Sequence, residues 1–220
     1  MTDFLTEPKI CFDGDDHEVT NVLFVGVGGQ GIIVASKILS EVMLSAGLDV
    51  KKSEVHGMAQ RGGSVVSEVR FGTRVYSPLI RKGECDMMVS FEQLETLRYL
   101  DYLHDHSIVI LNSQRILPPS VSMGLEAYPG DIPERVRKQC KRTILLDGLD
   151  LATQAGNVRT LNMVLLGALS PYLPIYEKVW ESKLRLLFPP PFRALNIRGF
   201  RLGREFTCAR RLPYERFCRN

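Results

Sequence analysis

Residues 21–46 read NVLFVGVGGQGIIVASKILSEVMLSA, and this stretch restricts the fold more than any other. An apolar strand, Val22 to Val27, runs into Gly26-Val27-Gly28-Gly29-Gln30-Gly31, and a helix follows without a break. Over residues 30–46 the apolar side chains Ile33, Ala35, Ile38, Leu39, Val42, Met43 and Ala46 recur at helical spacing, and Gly47 ends the run. A strand, a glycine turn and a helix in that order predict an α/β fold. Gly26, Gly28 and Gly31 match G-x-G-x-x-G, whose free helix N–H groups can hold a phosphate or a carboxylate. The same glycines also serve as a tight turn in α/β folds with no ligand, so both readings stand at this point.

A second glycine loop follows the second predicted strand, Val50 to Val55. It reads His56-Gly57-Met58-Ala59-Gln60-Arg61-Gly62-Gly63. A dinucleotide-binding fold places a carboxylate for the ribose at this point. Glu54 is near it but leads into a glycine-bearing basic loop, so this is not an ordinary NAD half-site. The planar fork of Arg61 suits a carboxylate, a phosphate or a facing subunit. Gln60 can bond a ligand or close the loop, and His56 is expected to donate to a neighbouring carbonyl.

Downstream, Ser64 to Phe71 alternates as a strand, and Arg74-Val75-Tyr76 is expected to return as its hairpin partner. Strands are expected at Met87–Phe91, Ser107–Leu111 and Thr143–Leu146, and helices at Glu92–Leu103 and Pro133–Cys140. Ser120 to Tyr128 reads as irregular or strand-like, and Asn112 as a turn residue. Beyond Leu149 the pattern is helical, over Val158–Leu173, Ile175–Phe188 and Phe192–Phe206. Pro189–Pro191 reads as an extended spacer, and Trp180 as core or subunit contact.

Composition excludes several classes. A net charge of +3 gives no reason to invoke nucleic acid or an anionic membrane, and the apolar runs are too short to span one. The acidic residues 1–16 lack the apolar core of a secretory signal, so a cytoplasmic protein is expected. Cys11, Cys85, Cys140, Cys208 and Cys218 are scattered without a C-x-x-C and read as reduced thiols. His104 and His106 with Asp101 and Asp105 read as a polar connector rather than a metal cluster. No G-x-x-x-x-G-K-[ST] is present, which excludes a P-loop. The basic C-terminal end, residues 207–220, reads as a solvated or partner-facing tail.

GVGGQGIIVASKIL followed by GMAQRGGSVVSEVRFG resembles the gamma-type domain of the 2-oxoacid:ferredoxin oxidoreductases. Within that family, GMAQRGGSV and VYSPLI are similar to the small (beta) subunit of the indolepyruvate-specific enzymes. Looser matches continue through Cys85–Arg98, Leu111–Gln114, Leu165–Leu169 and Asn196–Gly203. The resemblance implies an α/β, three-layer Rossmann-like open sheet, mostly parallel with a mixed hairpin, plus C-terminal helices. It implies residues 1–20 as an arm, 21–206 as the domain and 207–220 as the tail. The implied role is the small subunit of a complex that oxidatively decarboxylates arylpyruvates such as indolepyruvate to the acyl-CoA. In that role the chain has no activity alone and is linked to ferredoxin only through the complex. Thiamine diphosphate, Mg²⁺ and iron–sulfur clusters would sit in a large partner subunit, with CoA as co-substrate and no cofactor on this chain. The ligand- or partner-binding candidates are Gly26, Gly28, Gly29, Gln30, Gly31, His56, Gly57, Met58, Gln60, Arg61, Gly62 and Gly63. A stand-alone nucleotide-binding oxidoreductase and a non-catalytic scaffold are the alternatives.

Overall fold

Six strands form one sheet in the order β2-β3-β1-β4-β5-β6, in a computed structural model that describes residues 19–57 and 63–210. Expectations for the arm at 1–18, the loop centre at 58–62 and the tail at 211–220 fall outside the described residues. β1 (Thr20–Val27) is a central strand, buried along its whole length. Its alternate residues face two separate cores. Val22 and Phe24 point into one, and Leu23 and Val25 into the other. A run this apolar has no water-facing side, so helices must cover both faces of the sheet.

β1 pairs in parallel with β4 (Cys85–Ser90), which pairs in parallel with β5 (Leu103–Asn112), and β5 with β6 (Arg142–Leu146). β3 (Ser64–Gly72) runs antiparallel to β1 and to the edge strand β2 (Asp49–His56). The mixed hairpin is therefore β2–β3, closed by the second glycine loop. No strand forms at Arg74–Tyr76, which belongs to an irregular strap after β3. Asp49 accepts from Val75 N (2.8 Å), and Arg70 donates to Ser77 O and Leu79 O (3.0 Å each). These bonds hold the strap to the sheet, so its backbone does not pair as a strand.

One face carries α1 (Ile32–Ser45), α5 (Gly148–Ala155), α6 (Leu161–Leu169), α7 (Glu177–Leu187) and α8 (Pro190–Cys208). The other carries α2 (Gln93–Arg98) and α4 (Ile132–Gln139), with Leu94, Leu97, Ile132 and Val136 on the sheet. A four-residue helix, α3 (Pro119–Ser122), stands in the stretch expected to be irregular or strand-like. The helix expected over Glu92–Leu103 breaks at Tyr99 into α2 and a 3-10 turn at Leu100–Tyr102, and β5 already begins at Leu103. Asp105 and His106 consequently lie in a strand rather than a connector.

The C-terminal helices pack at unusually close range. A Cβ on Gly203 would lie 1.9 Å from Val164 O, and one on Gly167 would lie 1.9 Å from Phe200 O. α6 and α8 thus meet backbone to backbone, which only residues without a side chain permit. Trp180 is fully buried and packs on Phe200 with ring centroids 5.3 Å apart, which makes it core. The three prolines are not a spacer. Pro190 and Pro191 open α8, because proline at the first helical positions has no N–H to leave unpaired.

Candidate functional site

β1 connects through α1 to β2 on one side of the sheet, and β4 connects through α2 to β5 on the other. The carboxyl ends of β1 and β4 therefore diverge. In open α/β sheets ligands bind at such a crevice. The first glycine turn lies there, and Gln30 fills the gap between the strands. Its Oε1 accepts from Val27 N (2.7 Å), and its Nε2 donates to Phe91 O (3.0 Å) and to Gln114 Oε1 (2.9 Å). The carboxamide stands in for a peptide group where the two strands part, and it ties three loops together. Gln30, one of the sequence candidates, is thus bound to its own chain.

Gly31 caps α1 with φ 84° and no side-chain cap, and Asn162 from α6 closes over it. Asn162 Nδ2 would lie 2.7 Å from any Cβ at Gly31. Gly26 is equally confined, since a Cβ there would lie 2.7 Å from Phe91 Cβ. Gly28 N donates to Gly63 O (2.9 Å), which joins the first turn to the second loop. Gly57 N donates to Ser64 O (3.0 Å), so the second loop is closed at its base. The structure therefore brings Gly26, Gly28, Gly29, Gln30, Gly31 and Gly63 to one edge. Gly57 follows His56, the last residue of β2, at the same end of the hairpin. Met58, Gln60, Arg61 and Gly62 lie outside the described residues.

A dinucleotide half-site does not fit this arrangement. Its ribose carboxylate belongs on a strand next to β1. Here β3 intervenes, so the end of β2 stands about 10 Å away, two strand spacings from β1.

Several residues outside the sequence-based site candidates build the frame of this edge. Glu92 is 1% exposed and caps α2 by accepting from Glu95 N (3.0 Å). Its Oε1 accepts from Ile116 N (3.0 Å) and from Tyr128 OH (2.6 Å). Burial, then the Glu92 carboxylate, push the Tyr128 phenol upward, so it stays a donor at neutral pH. Ser64, at the end of the second loop, donates its hydroxyl to Glu95 Oε2. Burial raises the Glu95 carboxyl above the ordinary range, opposed by that hydroxyl and by Arg98. Asn112 is buried, donating to Phe91 O (2.9 Å) and accepting from Gly148 N (3.0 Å), so it joins β4 and β5 to α5 rather than capping a turn. Gln93 donates to Ser113 O (2.6 Å). The run from Ser90 to Glu95 lies within the looser family match but gave no sign of a buried carboxylate, because a glutamate after a strand is ordinarily solvated.

Among the described residues no group of three or more His, Cys, Asp or Glu side chains is placed to hold a metal. Cys85 and Cys140 are buried and Cys208 exposed, all as free thiols. Burial raises the Cys140 thiol to about 11 and drives Cys85 higher still, so neither is a thiolate at neutral pH. The donor set of the described residues does not fit an iron–sulfur cluster. His104 and His106 lie on β5 at the opposite edge of the sheet, with His104 Nε2 4.0 Å from Asp86 Oδ1. An open cleft of about 840 Å³ between α7 and α8 is also remote from the glycine turn. Its Arg201 and Arg204 are already paired with Glu181 and Glu177. Among the described residues no helix is long and apolar enough to cross a membrane.

Together the switch point and the closed glycine turn define an open-sheet α/β domain whose carboxyl edge is braced by its own side chains. The family model for pyruvate ferredoxin/flavodoxin oxidoreductase matches residues 21–206, and the chain belongs to that family. It is 42% identical over 188 residues to indolepyruvate oxidoreductase subunit IorB of Thermococcus kodakarensis, covering 83% of this chain and 93% of that one. The fold is shared with the gamma subunit of a keto/oxoacid ferredoxin oxidoreductase of Geobacter sulfurreducens. That match has a TM-score of 0.65 at 23% identity and covers 86% of this chain and 99% of the other. It is also shared with the 2-oxoglutarate:ferredoxin oxidoreductase of Magnetococcus marinus, at a TM-score of 0.69 and 20% identity. There the match covers 88% of this chain and 32% of the larger polypeptide.

Proposed function

We propose that this chain is the small subunit of an arylpyruvate:ferredoxin oxidoreductase, with indolepyruvate in its substrate class. The observation that carries the reading is the 42% identity, over nearly the full length of both chains, to a subunit named for indolepyruvate. The closed turn supports a subunit role. Its glycines and Gln30 serve to shape an edge, with the Gln30 carboxamide engaged by its own chain.

On this reading a large partner holds thiamine diphosphate, Mg²⁺ and the iron–sulfur clusters. These supply the decarboxylation and the one-electron steps towards ferredoxin, with CoA as co-substrate. This chain contributes shape. Its first turn is tied to its own chain, and Gly63, where the second loop ends, is bonded to that turn through Gly28. Arg61, the one permanently charged residue of that loop, offers a planar fork to an acidic group or an anionic ligand of the complex. Isolation of the chain from its own cells tests the reading. The large subunit should co-purify, and the complex should reduce ferredoxin with indolepyruvate and CoA while the small chain alone does not. A chain that purifies alone, or a complex indifferent to arylpyruvates, refutes it.

A further inference from the structure

β2 ends the sheet, and among the described residues no strand lies along its outer side. It pairs with β3 from Asp49 to His56 without a shift in register, and it holds no proline. Edge strands are ordinarily defended against further pairing by a bulge, a proline or lysine. Lysine alone is present here, and both lysines are neutralised. Lys51 pairs with Asp49 (2.7 Å) on one face of the strand, and Lys52 with Glu54 on the other. The hairpin fixes which backbone groups point outward. Gly57 N donates to Ser64 O (3.0 Å), directly opposite it in the register. In an antiparallel pair such bonded positions alternate. Val55, Ser53, Lys51 and Asp49 therefore bond inward to β3, while His56, Glu54, Lys52 and Val50 turn their N–H and C=O groups away from it.

The charges along this edge are complementary to themselves. A two-fold axis that sets the edge against a copy of itself stands perpendicular to the sheet, because that rotation reverses the strand and carries it to the other side. Each face of the sheet stays a single face, so opposed residues come from the same face of the strand. A register centred on Lys52 opposes Lys52 to Lys52, and one centred on Glu54 opposes Glu54 to Glu54. Both set like charges directly opposite, which destabilises a strand pair. Centred on Ser53, Lys52 meets Glu54, Glu54 meets Lys52, and Val50 meets His56 at either end. This register brings every outward-facing residue of β2 into a bonded pair, with about eight backbone hydrogen bonds in all. On the other face it lays the stem of Lys51 along Val55, which is 58% exposed.

We infer that the chain self-associates through β2, which pairs antiparallel with β2 of a second copy about a two-fold axis at Ser53. The two six-stranded sheets then form one continuous sheet. Lys52 and Glu54 of the two copies make a four-charge cluster of alternating sign across the seam. His56, from which the second glycine loop departs, comes opposite Val50 of the second copy, so each of these loops begins at the seam. Such pairing needs this chain alone and is independent of the functional reading above.

Sedimentation of the full chain at micromolar concentration tests the pairing. The proteins are the parent, Lys52→Glu, Glu54→Lys, an equimolar mixture of those two variants, and Lys37→Glu as a charge reversal at an exposed site on α1. The parent should be a dimer, and Lys37→Glu should associate as the parent does. Each single variant opposes like charges on both sides of the axis and should dimerise about tenfold or more weakly. The mixture should recover the parental association, because one chain then offers two carboxylates to the two ammonium groups of the other. The ion pair within each strand is lost in both variants, so recovery on mixing can come only from pairing between chains. A monomeric parent overturns the inference, as do single variants that dimerise like the parent or a mixture that associates no better than its components. A monomeric parent that dimerises once residues 1–18 are removed also overturns it, and makes the chain's own arm the occupant of the edge.

Discussion

Replacing Gln30 by alanine tests the account of the carboxyl edge most directly. The substitution removes one acceptor and one two-bond donor from the gap between β1 and β4. Phe91 O keeps a partner, since Asn112 also donates to it at 2.9 Å. Val27 N keeps none among the bonds described, and a partly buried orphan N–H costs about 1–3 kcal/mol. Loss of the Nε2 bonds adds about 1 kcal/mol, so the expected total is about 2–4 kcal/mol. In a domain of this size each kcal/mol moves the melting temperature by about 2–4 °C, so a fall of about 4–16 °C is expected. Denaturant unfolding followed by circular dichroism measures the free energy, with the slope m checked against the parent. Gln30→Glu sharpens the test. Its carboxylate can still accept from Val27 N, but its second oxygen faces two acceptors, Phe91 O and Gln114 Oε1. That environment raises the folded-state pKa of the new carboxyl. The penalty is therefore full above the folded pKa and relieved as pH falls through it towards the unfolded value of about 4.3. If Gln30→Ala unfolds within about 0.5 kcal/mol of the parent, the carboxamide is not a structural link. The reading of the turn as self-closed is then wrong.

Further outcomes follow from the same geometry. Gly203→Ala would place a methyl 1.9 Å from Val164 O, so α6 and α8 must separate, and a loss of about 3 kcal/mol is expected in thermal unfolding. Burial raises the carboxyl of Glu68, which accepts from Ile80 N (2.9 Å). A raised acid costs nothing below its unfolded pKa and its full penalty above its folded one, so Glu68→Gln should flatten the fall in stability as pH rises from about 4.3. Glu92→Ala should release both ends of the 116–128 loop, seen as faster hydrogen exchange at Ile116 and faster proteolysis at its tip. Unchanged exchange would show that the clamp is not what holds the loop. Arg61→Ala should weaken subunit affinity or apparent substrate affinity about ten- to a hundredfold, and Arg61→Lys should restore only part of it, because a point charge lacks the planar fork. Equal behaviour of both variants and the parent in subunit titration and turnover would leave Arg61 a surface residue.

Most of the order of elements was legible in the sequence because it follows from local period, while the three-layer arrangement came from the family resemblance. Val22–Val25 is apolar at every position, which requires a strand covered on both faces. Residues 32–45 repeat at helical spacing and end before Gly47, so the helix and its stop are local facts as well. The two glycine loops were also legible, together with the family they resemble, because glycine spacing is read along the chain. Partner choice in the sheet was not. Ser64–Phe71 pairs with β1 and β2 on its two sides, and nothing in its own residues says that it enters between them or that Arg74–Tyr76 stays unpaired. Strand neighbours are decided by long-range contacts that no window of sequence contains.

The role of Gln30 changed for the same reason. In sequence it is a polar residue in a glycine turn, available to any ligand. Only the fold brings Phe91 O and Gln114 within reach, 61 and 84 residues along the chain, and turns the side chain inward. Glu92 is the converse case. A glutamate after a strand is expected in water, and only tertiary structure supplies Ile116 N, Tyr128 OH and Glu95 N, the three donors that make its burial tolerable. Local propensity and glycine spacing determined which elements this chain forms. Convergence of distant backbone groups at the β1/β4 divergence decided which of its polar residues hold the edge together, because a buried polar atom is satisfied only by partners the completed fold delivers.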